Sequence, residues 1–375
     1  MDYQTIRKFD TKNKLGKRII RAIISEKKQQ QLSVRLKDKS RARLIHDYCD
    51  HKKAGLKALF RTCLQHISPV TAPWLLISGL PHSGGSQLKR LFDGHPEIHT
   101  YPDELLNTFS VKMPWTEINP KHDPKSWIEL IANYVPPPHI APRFMPNPDH
   151  QPALPFVFLP LLQKKIFTRY LGTIDPLKPR DVLNAYMTAC FGAWISYQNH
   201  GQSKKFVAVA APPGEALKAN MGAYFDIYPD GRFISLIANP HTWYRCAVQA
   251  EPDKYADVNR AVAKWREHLH ASLWVKETFA DQACLLDGEA LATNPEPLMQ
   301  HLAGLLGLAY DSILLLPTFN GDPVSSGDGL KNTPLDATGR PGQQTPQVGK
   351  DQSEVINELT KDDYQKFLNE TACCK

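Results

Sequence analysis

A continuous apolar run, followed at once by a glycine-rich turn and then a helical pattern, constrains this chain more than any other feature. Trp74-Leu-Leu-Ile-Ser78 has the unbroken apolar character of a strand buried on both faces. Gly79-Leu-Pro-His-Ser-Gly-Gly-Ser86 follows it, and Leu88, Leu91 and Phe92 then recur at helical spacing. A glycine-rich turn alone signals only tight packing. Between a strand and a helix it forms a unit in which several backbone N–H groups can face one anion, with the helix N-terminus adding its dipole. The pattern Gly79-x-x-x-x-Gly84-Gly85-Ser86 therefore predicts a phosphate-cradling loop. It is not a Walker loop, in which a lysine precedes the final Ser/Thr and reaches the outer phosphates. That position is Gly85, which argues against nucleoside triphosphate hydrolysis.

Further apolar runs at Phe206-Val-Ala-Val-Ala210, Phe233-Ile-Ser-Leu-Ile237 and Ala283-Cys-Leu-Leu286 read as strands. Helical patterns cover Asp181 to Gln198, Asp257 to Phe279 and Pro295 to Leu306, with a terminal helix at Glu354 to Leu368. Alternating strands and helices predict an α/β fold, a P-loop-type three-layer domain with a central parallel sheet. Residues 136–160 hold nine prolines and read as an irregular insert or lid. The expected organisation is a basic helical extension over 1–70, the α/β domain over 71–325, and a loop-rich tail over 326–375 that ends in the terminal helix.

Charge is unevenly placed. Residues 1–70 carry 18 Lys/Arg against 6 Asp/Glu, a balance of +12, so the chain's net +7 leaves −5 for the remainder. An acidic main body argues against a specific nucleic-acid binder. The basic segment suits a solvated helix or peripheral contact with an anionic surface. Seven scattered cysteines without C-x-x-C spacing suggest neither a disulfide framework nor a zinc site. With no apolar run of membrane-spanning length and no apolar leader, a cytoplasmic protein is expected. Oligomeric state is not legible.

The loop and its surroundings resemble the sulfotransferase family. Pro81-His-Ser-Gly-Gly-Ser86, then Leu88, Leu91 and His95-Pro-Glu-Ile98, is similar to that family's 5′-phosphosulfate loop, helix and exit turn. Tyr228 to Ile237 followed by Asn239-Pro240 looks like its strand leading to the 3′-phosphate motif. Leu285-Leu-x-x-Glu289-x-Leu291 with Asn294-Pro-Glu296, and Pro317-Thr-Phe-Asn-Gly321, continue the likeness in the family's order. The resemblance implies transfer of a sulfuryl group from 3′-phosphoadenosine 5′-phosphosulfate (PAPS) to a hydroxyl or amine, with a carbohydrate or small metabolite as acceptor. It implies cofactor contacts from Pro81, His82, Ser83, Gly84, Gly85, Ser86, Gln87, Asn239, Arg245 and Cys246.

The departures are equally specific. His82 stands where the family has a loop lysine or arginine, so the resemblance implies that an imidazole takes the role of cation at the leaving group. Ala238 and Cys246 stand where the family has the arginine and serine that hold the 3′-phosphate, and restoring both is expected to strengthen binding of the 3′-phosphorylated nucleotide. Glu104 is the candidate general base, followed by Asp103 and His99. No metal is implied. Two readings stay open: an active sulfotransferase with altered cofactor contacts, and an inactive relative that keeps the fold as a binding or interaction module.

Overall fold

The computed structural model describes residues 39–104, 157–200, 203–211, 213–323 and 349–371. The chain divides into two compact units, Met1–Ile67 and Ser68–Lys375. The first contains helix α1 (Lys39–Gln65); residues 1–38 of the expected basic extension lie outside the described residues. Most of the proline-rich insert and of the glycine-rich stretch before the terminal helix also lie outside them.

The second unit is built on a five-stranded parallel sheet. Its strands are β1 (Trp74–Gly79), β2 (Ile98–Glu104), β3 (Phe206–Ala211), β4 (Arg232–Ile237) and β5 (Ala283–Asp287), in the order β2-β3-β1-β4-β5. The four apolar runs form β1, β3, β4 and β5 as their composition predicts. In register, Ile77 sits opposite Ala210 on one side and Ile234 on the other. Helix α2 (Gly85–Phe92) follows β1. Helices α3 (Pro160–Leu171) and α4 (Pro179–Ala193) precede β3, and α5 (Glu215–Ile227) joins β3 to β4. Helix α6 (Pro240–Ala250), the single turn α7 (Pro252–Tyr255) and α8 (Val258–Thr278) lead to β5, after which come α9 (Gly288–Thr293) and α10 (Pro295–Leu305).

Side chains alternate across the sheet and feed two cores. Leu75, Ile77, Ile234, Leu236 and Leu286 pack on one face with Leu88, Leu91 and Phe92 of α2 and Leu298, Met299 and Leu302 of α10. Ile237 and Leu285 face the other core, with Trp243 of α6 and Trp265, Leu269 and Leu273 of α8. Helix α11 (Lys350–Glu370) places Ile356 and Phe367, both 0% exposed, in that second core. The terminal helix is thus part of the domain's packing. Among the described residues, no helix is long and apolar enough to cross a membrane.

Two expectations need adjustment. The helix expected over Asp181 to Gln198 ends at Ala193, because Trp194 leaves helical geometry and bridges to Phe158. Strand β2 was not expected, since His99, Thr100 and Pro102 interrupt its apolar character. Beyond the sheet, Pro317-Thr-Phe-Asn-Gly321 forms most of a small hairpin, β6 (Thr318–Phe319) with β7 (Asp322–Pro323). Buried Asp93, just after α2, accepts bonds from the Thr318 hydroxyl at 2.9 Å and the Gly321 amide at 2.9 Å. That pins the hairpin to the end of the loop helix.

In parallel sheets ligands gather at the carboxyl ends of the strands, where the strand order switches direction. The chain leaves β1 toward β2 on one side and crosses to β4 on the other. The glycine loop and the β4–α6 junction therefore flank one sheet edge.

Candidate functional site

The glycines of the loop are required by close approach and by backbone sign. A Cβ on Gly79 would lie 2.7 Å from the Ser83 hydroxyl and 3.5 Å from the Gly85 Cα, so the two ends of the loop nearly touch. Gly84, at φ +98° and ψ 1°, is the N-cap of α2 and supplies no side-chain cap to the helix's first amides. Those amides are what an anion would meet. The Ser83 Oγ and the Gln87 Oε1 are buried without a hydrogen-bond partner among the described residues. Leaving a buried polar atom unpaired costs about 1–3 kcal/mol, so two of them in one glycine cradle mark a place for polar ligand atoms.

The first half of the loop is gripped from the α6–α7 corner. The Trp243 indole donates to the Pro81 carbonyl at 2.9 Å. His82, at φ +68°, holds its Nε2 2.9 Å from Glu251 Oε1. Lys254 binds both carboxylate oxygens of Glu251, at 3.2 and 3.0 Å. The hydrogen bonds from His82 and Lys254 hold the Glu251 carboxyl below the ordinary glutamate range. Glu251 is the residue of this region that sequence reasoning missed. It lies 169 positions from its partner, and no local pattern announces it.

The β4–α6 junction differs in character. Asn239 caps α6, its Oδ1 accepting from the His241 amide at 2.9 Å and the Thr242 amide at 3.3 Å. Its side chain also meets the Tyr364 hydroxyl from α11. The His241 ring bonds Asn357 at 2.8 Å, and the Trp265 indole donates to the Ala238 carbonyl at 3.0 Å. Ala238 is 2% exposed, and a Cβ on Gly288 would meet its Cα at 3.2 Å. Cys246 is buried, and burial pushes its thiol up. Such a thiol is a weak donor to an anion. Arg245 differs from these neighbours: its Nε is buried and unpartnered among the described residues.

Of the candidate bases, Glu104 ends β2 opposite Ala210, after a register irregularity that begins at Thr100. It shares the sheet edge of the loop. The side chains of Asp103 and Glu104 lie outside the described residues. His99 is packed as a core residue: its ring stacks on Phe191 at 4.5 Å and its Nδ1 lies 2.7 Å from the Tyr197 hydroxyl. Burial, reinforced by the charges of Lys204 and His200, pushes it down to about 3. Its ring is packed among aromatic side chains with Nδ1 engaged, which argues against the third candidate. His95 of the exit turn is structural as well. Its Nδ1 accepts from the Glu97 amide at 3.2 Å, so its Nε2 carries the proton donated to the Ala309 carbonyl at 2.9 Å.

No protein-family model and no curated protein matches the chain. Solved structures similar to it include a sulfotransferase domain from the Synechococcus PCC 7002 olefin synthase, at 16% identity, TM-score 0.43, over 79% of this chain and 96% of that one. A sulfotransferase from Alicyclobacillus acidocaldarius shares 13% identity, TM-score 0.42, over 80% and 96%. One from Mycobacterium avium shares 12%, TM-score 0.38, over 88% and 85%.

Proposed function

We propose that this chain is a sulfotransferase that moves a sulfuryl group from PAPS to a hydroxyl or amine of a carbohydrate or small metabolite. The observation that carries the reading is the glycine cradle, with the buried Ser83 Oγ and Gln87 Oε1 unpartnered among the described residues. These fit the 5′-phosphosulfate end. The amides of residues 83–86 and the Ser86 hydroxyl would hold its oxygens, with Pro81 and His82 forming the rim. At the other end the fit is partial. Arg245 is the cation there with an unpartnered nitrogen, whereas Asn239 serves helix α6 and Cys246 is a buried thiol.

When bound, PAPS supplies an activated sulfuryl group whose S–O bond breaks as the acceptor attacks. The chain's part is to position, to stabilise the departing phosphate with amides and cations, and to remove one proton. His82 contributes at the leaving group, and the Glu104 carboxylate accepts the acceptor's proton. A second reading, an inactive relative that retains a binding site, is favoured by the enclosed Ala238 and Cys246. Incubating the protein with PAPS and a panel of hydroxyl and amine acceptors, with mass detection of sulfated product, separates the two. Product supports the enzyme; bound nucleotide with no product on any acceptor supports the binding module.

A further inference from the structure

We infer that Glu251 is a positioning residue for His82, holding the Nε2 proton so that Nδ1, once it too carries a proton, is the ring nitrogen left to donate to an anion in the loop. The inference rests on the reading of the loop as the phosphosulfate site. The carboxylate Oε1 lies 2.9 Å from His82 Nε2. A carboxylate can only accept there, so Nε2 carries a proton and Nδ1 is the remaining nitrogen. Among the described residues, Nδ1 has no hydrogen-bond partner. This is the arrangement in which a buried or half-buried carboxylate orients a working histidine, recognised by role rather than by sequence position.

Four further contacts make the corner a built device rather than a chance ion pair. Tyr255, 3% exposed, meets the His82 ring edge-on at 6.3 Å and the Trp243 ring edge-on at 5.6 Å. Trp243 in turn bonds the Pro81 carbonyl, so one corner holds two consecutive loop residues. A bare carboxylate beside an anion site would repel the ligand, but Lys254 lies against both oxygens of Glu251 and offsets its charge. His82 also holds a positive φ of 68°, a backbone region that side-chain-bearing residues adopt only when their surroundings impose it. A family lysine reaches an anion on a flexible stem. An imidazole is short and flat, and it needs its orientation supplied.

The test is a double-mutant cycle read by calorimetry, with adenosine 3′,5′-bisphosphate and inorganic pyrophosphate as separate probes. His82→Ala and Glu251→Ala should each weaken anion binding on the order of tenfold. Together they should weaken it no more than His82→Ala alone, because Glu251 acts only through the histidine. Glu251→Gln, which keeps an accepting oxygen, should recover most of the loss. Imidazole nitrogen NMR should show His82 protonated at Nε2 in the wild type, with Nδ1 taking up a proton as the anion binds, and should lose the Nε2 preference in Glu251→Ala. Melting curves identify any variant that fails to fold, and the NMR comparison then rests on Glu251→Gln. Additive losses, or tighter binding in Glu251→Ala, overturn the inference while leaving the sulfotransferase reading intact. Binding of pyrophosphate alone, with the coupling present, supports the inference and removes that reading. Absence of binding for both probes overturns both.

Discussion

The two ends of the candidate site are built from the same kind of strand–turn–helix junction and end in opposite states. At the β1–α2 junction, glycines leave the amides open, and the buried Ser83 Oγ and Gln87 Oε1 lack partners among the described residues. At the β4–α6 junction most polar groups are already engaged by protein: Asn239 with amides and Tyr364, His241 with Asn357, and the Ala238 carbonyl with Trp265, with the Arg245 Nε the exception among the described residues. The C-terminal helix α11 supplies two of those partners. The difference teaches that matching a motif's position does not settle its use. What matters is whether the polar atoms at that position still need a partner.

The comparison breaks most sharply at the loop. Gly84 holds φ +98°, which a β-branched residue adopts only at high cost. Gly84→Val should abolish nucleotide binding by calorimetry while the cooperative melt survives. Unchanged affinity would remove the loop from the site. Next in size is Glu104→Gln, which keeps shape but cannot take a proton. Turnover should fall by about 10²–10⁴ with nucleotide affinity nearly constant, and full turnover would place the base elsewhere.

At the filled end, the expectation that Ala238→Arg together with Cys246→Ser strengthens binding meets an enclosed geometry. Ala238→Arg forces a long cation into a 2% exposed position close against Gly288. It should cost at least about 1–3 kcal/mol of stability, measured by denaturant unfolding, with no gain in affinity. Tighter binding of the 3′-phosphorylated nucleotide would show that this end accepts a ligand after all.

The smallest expected effect concerns pH. His268, 2% exposed, bonds the Gly214 amide through Nδ1 at 3.3 Å and is pushed down by burial to about 4. The unfolded chain binds a proton at this residue near pH 6.5, whereas the folded one resists it. Stability from this group is therefore complete above about 6.5 and falls by roughly 1 kcal/mol per pH unit down to about 4. His99 acts in the same direction. Melting temperature should decline from pH 7 to pH 5, with the decline reduced in His268→Gln. An equally steep decline in that variant would assign it to other groups.

Much of this was legible in the sequence because burial writes itself into composition. Strands β1, β3, β4 and β5 lie inside the sheet or beneath helices and are nearly continuous apolar runs. Strand β2 was not legible: His99 and Tyr101 are buried against aromatic and hydroxyl partners from α4 and the segment after it, so polar letters stand where apolar ones were sought. The loop was legible because its constraint is local backbone geometry. Glu251, Tyr364 and the enclosure of Ala238 were not, since each depends on elements far apart in the chain.

On the proposed reading, the loop end binds the phosphate portion of a sulfuryl-donor nucleotide. A calorimetric titration of the wild-type protein with adenosine 3′,5′-bisphosphate, alongside an assay for ATP hydrolysis, tests it most directly. The bisphosphate should bind saturably and be displaced by PAPS, with no ATP turnover. Absence of bisphosphate binding, or hydrolysis of ATP at the same loop, would contradict it.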